Sequence, residues 1–251
     1  TFSDVLRKHT PEEEAGVFTA GTALTTPKKE EMLAGWVKPF VFARFFMTWL
    51  IGIILLYFLF FSLEYSGAFY LMLVAIPFLV PVTMLLLAWE MHIPRSISLI
   101  EILKIVGIGG ILSIFIAWIG FSGVPIEEAM WAGLIEEPAK LLIICLFLKN
   151  KKHPYILNGV LIGMAVGTGF AAFESLIYTF SYYDGAGAAI GLHVALVRAF
   201  SAISGHGLWA ALYGGALAMV KGEEDLSARH FLSFGFLKYF AIAILLHAFH
   251  N

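Results

Sequence analysis

The sequence predicts an all-α, polytopic membrane bundle of about seven transmembrane helices with its N-terminus in the cytoplasm. Three observations predict it. Of 251 residues, 60% are hydrophobic and only 14% charged, whereas soluble domains carry about a quarter charged residues. The apolar residues fall in repeated runs of the ~20 residues that cross a bilayer. The basic residues fall in alternate connections between those runs.

Taken in order, residues 1–40 are polar, with Glu12–Glu14 and Lys28–Glu31, and read as a partly helical aqueous segment. Residues 41–251 read as one membrane domain. Spans are expected at 44–62, 68–89, 102–121, 131–148, 156–179, 190–219 and 231–250. The sixth is long, so it is either tilted or projects beyond the hydrocarbon. Residues 90–100 read as a short interfacial connection. Arg7, Lys8, Lys28, Lys29, Lys38 and Arg44 precede or open span one. Arg95 and Lys104 lie between spans two and three, Lys149, Lys151 and Lys152 between four and five, and Lys221, Arg229 and Lys238 between six and seven. These are fourteen of the sixteen Lys and Arg, and the connections 63–67, 122–130 and 180–189 hold none. The positive-inside rule then puts residue 251 on the outer side.

Other function classes are excluded or weakened. A net charge of −2 gives no polybasic surface for nucleic acid. The single cysteine, Cys145, makes neither an internal disulfide nor a thiolate cluster. No n-region, h-region and cleavage site open the chain. It begins at Thr1 without Met and stops inside an apolar run, consistent with a trimmed start and a further segment beyond.

Charged groups in hydrocarbon cost about 2.5–3.5 kcal/mol each at a helix centre and are functional candidates by default. Glu136 and Lys140 are four apart, on one helix face, and can pair. Glu137 is turned by about 100° from Glu136, and Pro138 predicts a kink or a helix start. The plainer reading is a helix that begins near Pro138 and is capped by wet glutamates. Gly159, Gly163 and Gly167 form a small-residue stripe that permits close helix contact, and it shares a face with Glu174, whose plainer reading is an interfacial glutamate reaching for water. His206 lies between two glycines in span six, with Arg198 eight residues earlier on the same face. His247 and Asn251 share a face in span seven, with His250 to one side. His92, His153 and His193 read as peripheral, and Glu127 and Glu128 as solvated. At 1.5 Å per residue, Glu136, Glu137, Glu174 and His247 lie within roughly 10 Å of the outer interface. His206, about fifteen residues from the outer end of its span, joins them only if that helix tilts or projects.

These residues match a family pattern. Glu136-Glu137-Pro138-Ala139-Lys140 fits Glu-Glu-x-x-Lys, Phe170-x-x-x-Glu174 fits Phe-x-x-x-Glu, and His206 and His247 follow in order. From about residue 36 onward the chain resembles the PrsW intramembrane proteases, which are grouped with the CAAX-processing and bacteriocin-immunity membrane proteases. The resemblance implies that Glu136 and Glu137 are essential with Lys140 in support, that Glu174 fills the second motif, and that His206 and His247 fill the third and fourth. The family pattern closes on His-x-x-x-Asp, whereas this chain has His247-x-x-x-Asn251, as in the CAAX enzymes. It also implies a membrane-anchored protein substrate, such as an anti-sigma factor, cut on the outer side of a bacterial or archaeal cytoplasmic membrane.

Peptide hydrolysis needs an activated water, a stabilised oxyanion and a protonated leaving amine. In a glutamate version, Glu136 or Glu137 is the general base, and His206, His247 and Asn251 hold the oxyanion or donate a proton. In a metal version, Glu137, Glu174, His206 and His247 are the candidate ligands of Zn²⁺, although the zincin signature His-Glu-x-x-His is absent. Two readings compete. A proton- or ion-coupled transporter would use the same Glu, Lys and His, and paired broken helices would favour it. An inactive scaffold would bind other transmembrane helices through the glycine stripe.

Overall fold

The computed structural model describes residues 2–32, 37–122, 130–149 and 151–250, and every regular element among them is helical. Helices α1 (Phe2–Leu6) and α2 (Pro11–Phe18) belong to the polar N-terminal stretch. A capping box starts α2: Thr10 Oγ1 accepts from the Glu13 backbone N–H at 3.2 Å, and Glu13 Oε2 accepts from that of Thr10 at 2.9 Å. Arg7 grips the same carboxylate at 2.5 and 3.1 Å, and this bond holds the Glu13 pKa down at about 2.

Helices α3 (Val41–Leu63) and α4 (Ser66–Glu90) form a hairpin, turned at Glu64 in the left-handed conformation, φ 54°. α3 has no capping side chain of its own, and a helix start leaves four N–H donors without partners. Glu90, at the far end of α4, takes that role. Its carboxylate accepts from the N–H groups of Phe40, Val41 and Phe42, each at 2.8 Å. This ties the two helices together at one end.

Helices α5 (Leu99–Lys104) and α6 (Gly110–Phe121) make one rod through a π turn at Ile105–Gly109. α7 (Met130–Leu148) and α8 (Ile156–Ala186) follow, then α9 (Ala188–Ser201), α10 (His206–Lys221), the short α11 (Ala228–Phe231) and α12 (Phe234–His250). Five rods are long and apolar enough to cross a bilayer: α3, α4, α5 with α6, α8, and α9 with α10. α7 carries Glu136, Glu137 and Lys140 within its apolar run, and α12 is 17 residues long. The chain is a multi-pass, all-helical membrane protein.

α8 is the central post, packed against α4, α6, α7, α9 and α10. Its glycines explain how. A Cβ on Gly159, Gly163 or Gly167 would stand 2.2 Å from the backbone carbonyl of Gly214, Ala210 or His206 respectively. α8 and α10 therefore meet backbone to backbone along the whole stripe. The stripe is occupied from within the chain, which removes the surface that the scaffold reading needed.

Three expectations about shape are corrected. Span six is not one long helix. It breaks at a 3-10 turn, Ala202–Ser204, followed by Gly205 in a non-helical conformation, and His206 is the first residue of α10 rather than the middle of a rod. α8 runs on to Ala186, well past 179, because nothing in Ser181–Gly185 stops a helix. Pro138 neither starts nor ends a helix. It lies inside α7, where the missing N–H costs one hydrogen bond that the surrounding turns tolerate.

Candidate active site

Four helices deliver side chains to one buried point. α7 brings Glu136, Glu137 and Lys140. Glu137 and Lys140 are wholly buried and Glu136 is 5% exposed, so the wet, capping glutamates of the plainer reading are not found. α8 brings Glu174, α10 brings His206 from its first turn, and α12 brings His247. The helix break before α10 is what carries His206 to the others, where a straight sixth span would have left it at another depth.

The bonding differs from the expected pairing. Lys140 Nζ donates to Glu137 Oε1 at 2.6 Å, three residues back, and stands 3.9 Å from Glu136 Oε2. Its ammonium also meets His206 Nδ1 at 2.8 Å and lies 4.3 Å above the Phe170 ring centroid. Glu137 Oε1 is 2.7 Å from His247 Nδ1, so that nitrogen carries the proton and donates. His206 Nε2 lies 3.1 Å from Glu174 Oε2, which Arg198 also holds. Arg198 thereby neutralises Glu174, and its Nε also donates to Ser175 Oγ at 3.1 Å. Glu174 does not reach for water: salt-bridged to Arg198 and to an imidazole, its side chain is 16% exposed.

The remaining atoms of these residues converge. Glu136 Oε2 is buried without a hydrogen-bond partner. His247 Nε2 stands 3.5 Å from it and His206 Nδ1 4.0 Å. One ligand atom from each of Glu136, His206 and His247 lies within 4.8 Å of the others. Bond lengths of about 2.0–2.2 Å to Zn²⁺ put tetrahedral ligand atoms roughly 3.4 Å apart, so the set closes on an ion after small side-chain movements. The chemistry of the donors fits as well. Two imidazoles and a carboxylate are common zinc ligands, and His247 Nδ1–H on Glu137 is the outer bond that orients a metal-bound histidine. An ion bound there would take the His206 Nδ1 lone pair that now meets Lys140, and the ammonium would keep its bond to Glu137. Glu137 and Glu174, both expected as ligands, are hydrogen-bonded to His247 and His206 respectively.

Trp209 lines the same point, stacked on His247 at 4.6 Å between centroids and edge-on to His206 at 5.1 Å. Sequence reasoning assigned no role to Trp209, at the end of the His206 cluster, and passed over Tyr213. Both stand at helical spacing from His206, three and seven residues on, and that spacing was the available signal. Asn251, Glu127 and Glu128 lie outside the described residues. His193 is exposed as expected. His92 and His153 are buried, at 4% and 2% exposure, and His153 Nε2 lies 3.3 Å from Glu101 Oε1.

The sequence profile of the PrsW family intramembrane metalloproteases matches residues 81–251. A curated relative, Protease PrsW of Clostridioides difficile (strain 630), is 30% identical over 143 residues, 52% of this chain. The chain spans 58% of the length of that relative. No solved structure matches. Residues 81–251 contain every member of the buried cluster described above, and the chain belongs to the PrsW family of intramembrane metalloproteases.

Proposed function

We propose that this chain is an intramembrane endopeptidase that hydrolyses a peptide bond of a membrane-anchored protein, such as an anti-sigma factor, on the outer side of a bacterial or archaeal cytoplasmic membrane. One observation carries the reading: Glu136 Oε2, unpartnered and buried, faces His247 Nε2 at 3.5 Å and His206 Nδ1 at 4.0 Å. These three residues would hold Zn²⁺, with Asn251, four residues later in the sequence than His247, a further polar candidate. An ion held there would supply Lewis acidity, polarising a carbonyl and bringing the pKa of water toward neutrality. The chain's own groups divide the remaining work. Glu137 orients His247 through Nδ1, and Lys140, buried beside it, balances the Glu137 charge. Arg198 fixes Glu174, and Glu174 fixes His206. Glu174, the most accessible of the three carboxylates, is the candidate acceptor for the proton of the attacking water. The alternation of basic residues, with residues 1–40 as a cytosolic segment, supports an outward-facing site.

The transporter reading draws on one feature, the break between α9 and α10. It called for paired breaks, and among the described residues no second membrane rod is interrupted in this way.

The test is cleavage of single-span reporter proteins in liposomes. Glu136→Gln and His247→Ala, inserted normally, are expected to lose at least about 100-fold in rate, and a chelator is expected to do the same to the wild type. Full activity in either variant overturns the assignment. Ion flux without cleavage would move the protein to the transporter class.

A further inference from the structure

Tyr213 lies on α10, two turns beyond His206. Its side chain is wholly buried, packed edge-on against Phe240 of α12 at 5.2 Å. Its hydroxyl is buried and has no partner in hydrogen-bond geometry. A buried hydroxyl left in that state costs about 1–3 kcal/mol, so its presence calls for an explanation. Glu137 shows the complementary gap. Its Oε1 is saturated by Lys140 and His247, while Oε2 is buried with no partner. The two gaps belong to one neighbourhood: Tyr213 packs on α12 two turns from His247, to which Glu137 is bonded, and the Glu137 carboxylate is close enough to act on the Tyr213 hydroxyl. A phenol has one donor, and an ionised carboxylate offers only acceptors. Cys145 is two turns from Glu137 on α7 and is the weaker partner.

We propose that Tyr213 is a positioning residue: its hydroxyl donates to Glu137 Oε2 and locks the carboxylate that orients His247. The chain Tyr213–Glu137–His247 then acts as a rigid bracket. It fixes the rotation of Glu137, hence the Nδ1–H bond, hence the direction in which His247 Nε2 presents its lone pair to Glu136. α10 thus contributes twice, with His206 at its first turn and Tyr213 as a support two turns deeper. The inference rests on the metal reading only for its consequence at His247. The contact with Glu137 stands apart from that reading.

The experiment compares wild type with Tyr213→Phe, which keeps the ring against Phe240, in detergent. Thermal unfolding tests the contact by its sign. If the hydroxyl serves Glu137, its loss strands Oε2 in the core and Tm falls. If the hydroxyl is an idle buried group, its loss relieves the chain and Tm rises or stays, which overturns the proposal. Competition with a chromophoric chelator then reads Zn²⁺ affinity, expected to weaken about 10-fold as for other outer-shell changes. On a reporter substrate kcat falls with KM unchanged. A lowered Tm with Zn²⁺ affinity and kcat both intact makes Tyr213 purely structural and also overturns it. Wild-type protein that binds no Zn²⁺ sinks the metal reading, while the sign of the Tm shift still decides whether the phenol holds Glu137.

Discussion

α3 and α8 are both long apolar helices, and their fates are opposite. The most apolar 18-residue window of α3 has a mean hydropathy of 2.3, and none of it is buried within the protein. The corresponding window of α8 is less apolar, at 1.8, yet 78% of it is buried. In a water-soluble domain the order would be reversed. In a bilayer the lipid is as apolar as leucine, so hydropathy gives a helix no reason to leave it. What draws α8 inward is small side chains that let backbones meet, and polar groups that find partners only inside the bundle. The glycines of α8 meet carbonyls of α10, whereas Gly52 of α3 has nothing within 4 Å of where a Cβ would stand.

The strongest way to break this comparison is a matched pair of substitutions. Gly163→Leu drives a side chain into the backbone of Ala210, which cannot yield. It is expected to cost more than about 3 kcal/mol and to separate α10, with His206, from the site. Gly52→Leu in α3 is expected to change stability by less than about 0.5 kcal/mol. Unfolding in mixed micelles reads both, and equal effects would mean that the tight seam does not exist.

A second test concerns a buried group just beyond the C-terminal end of α4. His92 has both ring nitrogens unpartnered. Burial, with some help from the charge of nearby His153, lowers its pKa to about 4. Unfolded histidine titrates near 6.5, so the unfolded chain binds the proton more readily between those values. Stability is therefore expected to be full above pH 6.5 and to fall by roughly 3 kcal/mol as pH drops to 4. A Tm series over this range in wild type and His92→Phe checks it. The two profiles should diverge below pH 6.5, and parallel profiles would remove His92 as the cause.

A smaller effect is expected where α3 is fastened. Glu90 supplies three accepted bonds to the start of α3 from the end of α4. Glu90→Gln keeps the shape but loses the charge and one acceptor. It should cost about 1–2 kcal/mol, felt at α3 and not at the active site. Hydrogen exchange at Phe40–Phe42 should rise while cleavage of the reporter stays near wild type. Loss of cleavage would mean that the lipid-facing hairpin and the site are coupled.

Much of this molecule is legible in one dimension. Hydropathy placed a helix at every expected span, and α3, α4 and α7 begin and end within three residues of where composition put them. That succeeds because a bilayer imposes one length and forces the backbone to satisfy itself. Glu136, Glu137, Lys140, Glu174, His206 and His247 were also visible, since charge and imidazole in an apolar run are costly enough to demand a reason.

Tertiary structure alone decided which of them touch. Lys140 lies within reach of both Glu136 and Glu137 on helical spacing, and only packing against α10 and α12 sent it to Glu137. The break at Ala202–Gly205 carries no strong breaker beyond one glycine, so the sequence by itself leaves His206 adrift in a long span. Tyr213 is buried against Phe240 of α12, a contact that no spacing within α10 announces. Periodicity records which residues share a face of one helix. The partners across an interface depend on rotation and depth of two helices at once, and no local pattern encodes that.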